Sequence, residues 1–286
     1  MTRGVEDQVW MITGASGGFG RAIARDVRAR GGRVVATARN GAAVADLEAE
    51  DPTQVLALPL DITKPDQIAA AVGAAEARFG HIDVLLNNAG YGFLSGVEEA
   101  AEAEYREQFE VNFFGTVALT RAVLPTMRRR RSGFIVNISS VVGVYGVAGA
   151  GFYAASKFAL EGFSEALGDE LKPFGVGVLI VEPGPFRTAF FGGSMKVPAN
   201  PMPDYAHTAA MRENSARASG RQTGDPERAA AAIVDTVAGP TPPTRIVLGG
   251  DAFERACAAL ERRLADIGRS REQARAADFP VSPGPA

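Results

Sequence analysis

Short apolar runs rich in β-branched residues alternate with longer amphipathic ones along most of the chain. Residues 9–13, 34–38, 55–60, 84–86, 134–138, 176–181 and 245–248 have the length and composition of buried strands. Between them, helical spacing is expected over 21–30, 65–79, 98–131, a stretch carrying Tyr153 and Lys157 that continues through 158–171, then 225–237 and 251–266. Asp225-Pro226-Glu227 supplies a cap and a first-turn proline for the helix it opens. Strand and helix in alternation predict an α/β architecture. Residues 189–224 break the rhythm, with prolines at 198, 201 and 203 and little periodicity, and are expected to form an irregular substrate lid. No repeat or clean linker divides the chain, so one domain spanning 1–286 is expected, with a helical C-terminal extension over 251–286.

The junctions between these elements carry the candidate chemistry. The first strand runs straight into Gly14, Gly18 and Gly20 and then a helix. Glycines there allow a tight turn and close approach of a ligand. The helix N-terminus behind them offers free N–H groups to a pyrophosphate. The second strand ends at Arg39 with no carboxylate before Asp46. An acid at that place suits a ribose diol and an arginine suits a 2′-phosphate, so NADP(H) is favoured over NAD(H). The fourth strand ends in Asn87, Asn88, Ala89 and Gly90, at the carboxyl edge where open parallel sheets bind ligands. Asn112 lies among Phe109, Val111, Phe113 and Phe114, which argues for a buried amide with a partner.

Tyr153 and Lys157 stand four residues apart, one turn along a single helix face, and Ser140 at the end of the preceding strand can be brought opposite them. A free phenol titrates near ~10, too high for efficient proton transfer at neutral pH. A lysine charge at roughly 4–5 Å, with an effective dielectric of ~20, favours the phenolate by about 3–4 kcal/mol. That corresponds to about 2–3 units of pKa, opposed in part by burial. The three side chains together form a proton-transfer device that needs an electrophile and a redox partner beside it.

Composition narrows the alternatives. The chain has 286 residues, a net charge of −3 and a pI near 5.6, which gives no signal for nucleic acid or an anionic membrane. The basic run at 128–131 falls at a helix C-terminus, where cations complement the dipole. The single cysteine, Cys257, excludes an internal disulfide and suits a reducing cytoplasm. The first eight residues are polar and unlike a signal peptide, and no stretch has the length of a membrane span. His81 and His207, far apart, argue against a histidine metal site.

In order along the chain, TGASGGFG, NNAG, Asn112, Ser140, YAASK and PGPFRT resemble the short-chain dehydrogenase/reductase family in its single-domain, NADP-preferring form, with 13 residues separating Ser140 from Tyr153. The resemblance implies a Rossmann-type doubly wound seven-stranded parallel sheet in three αβα layers. It implies Tyr153 as general acid/base, Lys157 as the group that lowers its pKa and holds the nicotinamide ribose, Ser140 as donor to the substrate carbonyl, and Asn112 as support for a relay water. For the cofactor it implies Gly14, Ser16, Gly18, Phe19 and Gly20 around pyrophosphate and Arg39 at the 2′-phosphate. Asp61 and Ile62 would flank adenine, Asn88, Ala89 and Gly90 the central part, and Pro183, Gly184, Phe186 and Thr188 the nicotinamide side. A homodimer or homotetramer is implied as well. The stretch RIVLGGDAFERA resembles a subgroup acting on hydrophobic alcohols and ketones, including relatives of steroid and retinol dehydrogenases.

The expected activity is reversible, NADPH-dependent reduction of a ketone or aldehyde. Leu94, Val142, Val144, Tyr145, Phe152, Phe186, Phe190, Phe191 and Met202 offer an apolar and aromatic lining for a bulky substrate. A non-catalytic NADP(H) sensor would need the glycine loop but not Ser140, Tyr153 and Lys157 together. A sugar-nucleotide epimerase would need more chain after residue 181 than is present.

Overall fold

A computed structural model describes residues 4–279. Its elements, in chain order, are β1 (Val9–Thr13), α1 (Gly18–Ala29), β2 (Arg33–Ala38), α2 (Ala45–Glu50), β3 (Val55–Pro59), α3 (Pro65–Phe79) and β4 (Val84–Asn87). There follow β5 (Gly92–Phe93), α4 (Glu102–Phe109), α5 (Thr116–Arg130), β6 (Gly133–Ile138), α6 (Gly151–Leu171) and β7 (Val176–Pro183). The chain continues through β8 (Met195–Lys196), α7 (Ala206–Ala218), α8 (Pro226–Ala238), β9 (Arg245–Leu248), α9 (Gly250–Arg269) and α10 (Arg271–Ala276). The expected terminal segments at 1–3 and 280–286 lie outside the described residues.

Seven strands form one parallel sheet in the order β3-β2-β1-β4-β6-β7-β9. Most strand residues are buried because helices cover both faces, which is why the strands read as continuous apolar runs and not as alternating ones. On one face Ile23 and Val27 of α1 meet Ile233 and Val234 of α8 over Trp10, Ile12 and Val136. On the other, Val72, Leu119, Val123 and Leu167 cover Met11, Leu85 and Ile135. This is the doubly wound Rossmann-type arrangement the motifs imply. Strand order reverses at β1 and β4, so their carboxyl ends part and leave a crevice for a ligand.

Several boundaries differ from expectation. The helix expected over 98–131 begins only at Glu102 and is interrupted by a π-helical turn, Glu110–Gly115. Such a turn inserts one extra residue and marks functional places in helices; here it carries Asn112. The stretch 189–224 is less irregular than its sequence suggests. It contains α7, whose alanine-rich sequence favours helix but has no apolar stripe to announce it. It also contains β8, which pairs with β5 through two residues. The short helix α2, likewise without a strong pattern, was not expected either. Asp225 caps α8 as anticipated, its carboxylate accepting from the Glu227 N–H at 2.9 Å. The basic run at 128–131 ends α5 as read, with Arg131 in the left-handed region (φ 51°) and Arg130 paired to Asp83 at 2.8 Å.

Candidate active site

At the carboxyl edge of the sheet a cavity of about 1140 Å³ opens between β1, β4, β6, β7 and the 189–224 segment. Its floor is the glycine loop. Gly14 and Gly18 adopt positive φ (66° and 52°), which only glycine takes without strain. Gly17 precedes α1 with no side-chain cap, so the first N–H groups of that helix remain free for a ligand. Gly20 plays a different part from the one expected. It is absent from the cavity wall, and a Cβ there would lie 2.5 Å from the Gly14 carbonyl oxygen and 2.7 Å from Asn88 Nδ2. It therefore shapes the cradle from behind. Gly20→Ala is expected to force the loop open and weaken dinucleotide binding by roughly tenfold or more, the equivalent of the 1–3 kcal/mol typical of overpacking. Fluorescence titration with the nucleotide checks this; an unchanged affinity would refute it.

The loop after β4 is tied to this cradle. Thr13 Oγ1 accepts from the Asn88 and Ala89 N–H groups, both at 2.9 Å, while Asn88 Nδ2 donates to the Thr13 carbonyl at 2.8 Å. Ser16, Phe19, Arg39, Asp61, Ile62, Asn88, Ala89 and Gly90 all reach the cavity wall, as do Pro183, Gly184, Phe186 and Thr188 on the opposite side. Phe186 stands edge-on to Phe19, ring centroids 4.9 Å apart, closing the cradle from the β7 side. The residues present thus fit a dinucleotide: an uncapped helix end, a glycine bed, and an arginine and a lysine, Arg39 and Lys64, at one end.

Ser140, Tyr153 and Lys157 are all buried and all line the cavity. Ser140 follows β6 by two residues and caps the short turn Val141–Gly143, its Oγ accepting from the Val142 N–H at 3.4 Å. Its hydroxyl also faces the Tyr153 phenol. Lys157 Nζ donates to the Ile138 carbonyl at 2.8 Å and lies 5.9 Å from the centre of the Tyr153 ring. The electrostatics depart from the simple expectation that the ammonium acidifies the phenol. Burial pushes the Tyr153 phenol up to about 12, the Ser140 hydroxyl beside it offsetting part of this. Burial also brings the Lys157 ammonium down to about 8, with Glu161 opposing. Desolvation is the largest effect on both groups, leaving Tyr153 a protonated donor at neutral pH.

Asn112 is buried but does not reach the cavity wall. Its Oδ1 accepts from the Tyr91 N–H at 3.0 Å, and its Nδ2 donates to the Tyr91 carbonyl at 2.9 Å and to Ser156 Oγ at 3.1 Å. The amide thus clamps the loop after β4 to α6, the helix that carries Tyr153 and Lys157. Among the expected substrate residues, Leu94, Val142, Tyr145 and Phe190 line the cavity, with Phe191. Phe152 does not: its ring stacks on Tyr105 at 4.6 Å and packs toward Phe93 at 6.4 Å. Met202 and Val144 are also outside the wall. Sequence reasoning missed Tyr91, Met195, Met211, Ser215, Asp251 and Arg255, which line the cavity from β8, α7, α9 and the loop after β4. Of these only Tyr91, next to NNAG, had a local signal. Among the described residues no cluster of ligating side chains could hold a metal ion, and no helix is long and apolar enough to cross a membrane.

Comparison with known proteins agrees with this geometry. Residues 8–196 match the family model described as short chain dehydrogenase. The chain is 38% identical over 246 residues to a 3-ketodihydrosphingosine reductase of Bacteroides thetaiotaomicron, covering 86% of this chain and 89% of that one. A crystal structure of a short-chain dehydrogenase from Streptomyces avermitilis superposes with a TM-score of 0.90 at 43% identity, covering 96% of this chain and all of that one (100%). A metagenomic short-chain oxidoreductase in complex with NADP superposes with a TM-score of 0.67 at 28% identity, covering 85% of this chain and 98% of that one.

Proposed function

The chain belongs to the short-chain dehydrogenase/reductase family of NAD(P)-dependent oxidoreductases, and from that premise we propose that it reduces a ketone or aldehyde on a bulky, apolar molecule with NADPH. The observation that carries this reading is the burial of Ser140, Tyr153 and Lys157 on one wall of a cavity whose floor fits a dinucleotide. When bound, the nicotinamide supplies hydride to the carbonyl carbon. Ser140 and Tyr153 hold the substrate oxygen, and Tyr153, protonated in this environment, delivers the proton to it. The Lys157 ammonium stabilises the phenolate left when Tyr153 gives up its proton and would orient the ribose side of the cradle.

The NADP preference rests on Arg39. It lines the cavity, forms no ion pair among the described residues, and stands with Lys64 where β2 and β3 end. Arg39→Asp is expected to lower the NADPH-to-NADH preference by roughly 10–100-fold, the scale of one or two charge-assisted hydrogen bonds. Steady-state kinetics with the two cofactors checks it; an unaltered ratio would remove the phosphate assignment.

Leu94, Val142, Tyr145, Phe190 and Phe191 support an apolar substrate, and the name of the Bacteroides relative points to a keto group on a long-chain lipid. We place the 189–224 segment as a lid, since it brings Met195, Met211 and Ser215 to the cavity. A screen of NADPH oxidation over long-chain ketones, aryl ketones, cyclic ketones and aldehydes tests the reading. Tight NADPH binding without oxidation across that panel would favour a cofactor sensor instead.

A further inference from the structure

Two glutamates lie buried behind the catalytic wall, where hydride transfer has no direct use for them. Glu161 sits one turn along α6 from Lys157, and Glu182 is near the end of β7, immediately before Pro183. Their carboxyl groups lie beside one another, close enough for each to shift the other's titration. Arg245 of β9 faces both, its Nε 3.2 Å from Glu182 and its Nη2 3.9 Å from Glu161, and it also pairs with Glu165 of α6. From the end of β6, Ser139 Oγ faces Glu161. The turn closing over them passes at Gly143, where a Cβ would lie 2.7 Å from Ser139 Oγ and 3.2 Å from Glu161 Oε1. With both acids ionised, Ser139 Oγ, Glu161 Oε1 and Glu182 Oε1 are buried without a hydrogen-bond partner, Arg245 Nε being only an ion-pair contact of Glu182 Oε1. Three carboxylates would then also face one guanidinium.

One proton resolves both difficulties, because it provides the missing donor and removes one like charge. We propose that Glu161 and Glu182 share a single proton at neutral pH and act as a positioning pair, joining the catalytic helix α6 to the end of β7 that carries residues 183–186. The pair sets the distance between Lys157 on one element and the turn bearing Pro183, Gly184 and Phe186 on the other. Loss of the shared proton leaves two carboxylates facing each other across that joint, with Arg245, Glu165, Lys157 and Ser139 as the surrounding groups. Burial, with repulsion from Glu161, holds Glu182 up to about 7, and burial raises Glu161 as well. Both folded values lie above the usual carboxyl value. The contribution to stability is therefore complete at acid pH, below about 4.5, and is lost as pH rises through about 7.

Glu182→Gln tests this, since its amide donates permanently where the shared proton stood. The thermal midpoint of the wild type is expected to fall with a step centred near neutral pH, and Glu182→Gln to lose that step while remaining folded. The effect on turnover rests on the proposed hydride transfer, and there the variant is expected to retain activity at a pH where the wild type declines. Superimposable pH profiles of the thermal midpoint for the two proteins would overturn the proposal. Infrared titration of the wild type adds a test that needs no variant. A protonated-carboxyl band that disappears near neutral pH supports the pair, and its absence at mildly acid pH overturns it. Because Tyr153→Phe can be titrated in the same way, failure of the positioning pair and failure of the hydride-transfer reading are told apart.

Discussion

Tyr153→Phe is expected to keep the fold and nucleotide affinity and to lose about 10²–10⁴ in turnover, the contribution of a positioned general acid. On the transition-state scale that is roughly 3–5 kcal/mol. The substitution removes one oxygen from a ring that is otherwise well packed, with Phe190 at 5.9 Å on its cavity side. Little stability is at stake, since the phenol is a lining group whose partner, Ser140, keeps its own contact with the Val142 N–H. The lost hydroxyl is the group best placed to donate to a carbonyl oxygen, because burial keeps it protonated, pushed up to about 12. Single-turnover kinetics with a reactive ketone would show the loss in the chemical step. Turnover equal to that of the native enzyme would remove Tyr153 from the mechanism.

The second large effect is expected at Glu99, far from the reacting atoms. Its carboxylate is buried and gathers five donors. Oε2 accepts from the Gly96 N–H at 2.6 Å, Thr208 Oγ1 at 2.9 Å and Arg212 Nη1 at 2.8 Å. Oε1 accepts from the Met202 N–H at 3.1 Å and Arg212 Nη2 at 3.2 Å. One side chain thus fastens the proposed lid at three places to the loop before α4. Tyr205 lies against Gly96, where a Cβ would come within 2.2 Å of its ring. Met211 likewise presses on Gly149 of the loop leading to Tyr153.

Glu99→Ala strands the partly buried Arg212 guanidinium and leaves the other donors unmatched. The sheet does not depend on this contact, so the loss should appear locally. KM is expected to rise by roughly 10–100-fold, with protease cleavage appearing within 189–224 and a smaller change in kcat. Arg212 holds the Glu99 carboxyl down to about 2, against burial. Its folded value is below the usual one, so the latch is complete above about 4.5 and is lost as pH falls toward about 2. An unchanged KM together with unchanged protease resistance would show that the lid is held elsewhere.

These two residues also show what a linear sequence exposes. Tyr153 and Lys157 could be paired from their spacing, since four residues in a helix return to one face. The same geometry accounts for the misplacement of Phe152. Adjacent helical residues point about 100° apart, so a neighbour of Tyr153 faces Tyr105 and Phe93, not the cavity. Glu99 and Arg212 are 113 positions apart and carry no periodic mark. Glu182 and Arg245 meet only because β7 and β9 are neighbours in the sheet.

Local backbone chemistry was written in the chain: glycines that permit positive φ, apolar runs that must be covered on both faces, and a helix that aligns phenol with ammonium. These features determined the Rossmann-type fold, the glycine cradle and the meeting of Ser140, Tyr153 and Lys157 on one cavity wall. Tertiary structure decided the protonation balance, because burial depends on what surrounds a side chain and not on its neighbours in sequence. It also decided the anchorage of residues 189–224 on Glu99 and the approach of Glu161 to Glu182, since charges brought together from distant elements interact strongly only once folding has excluded water between them.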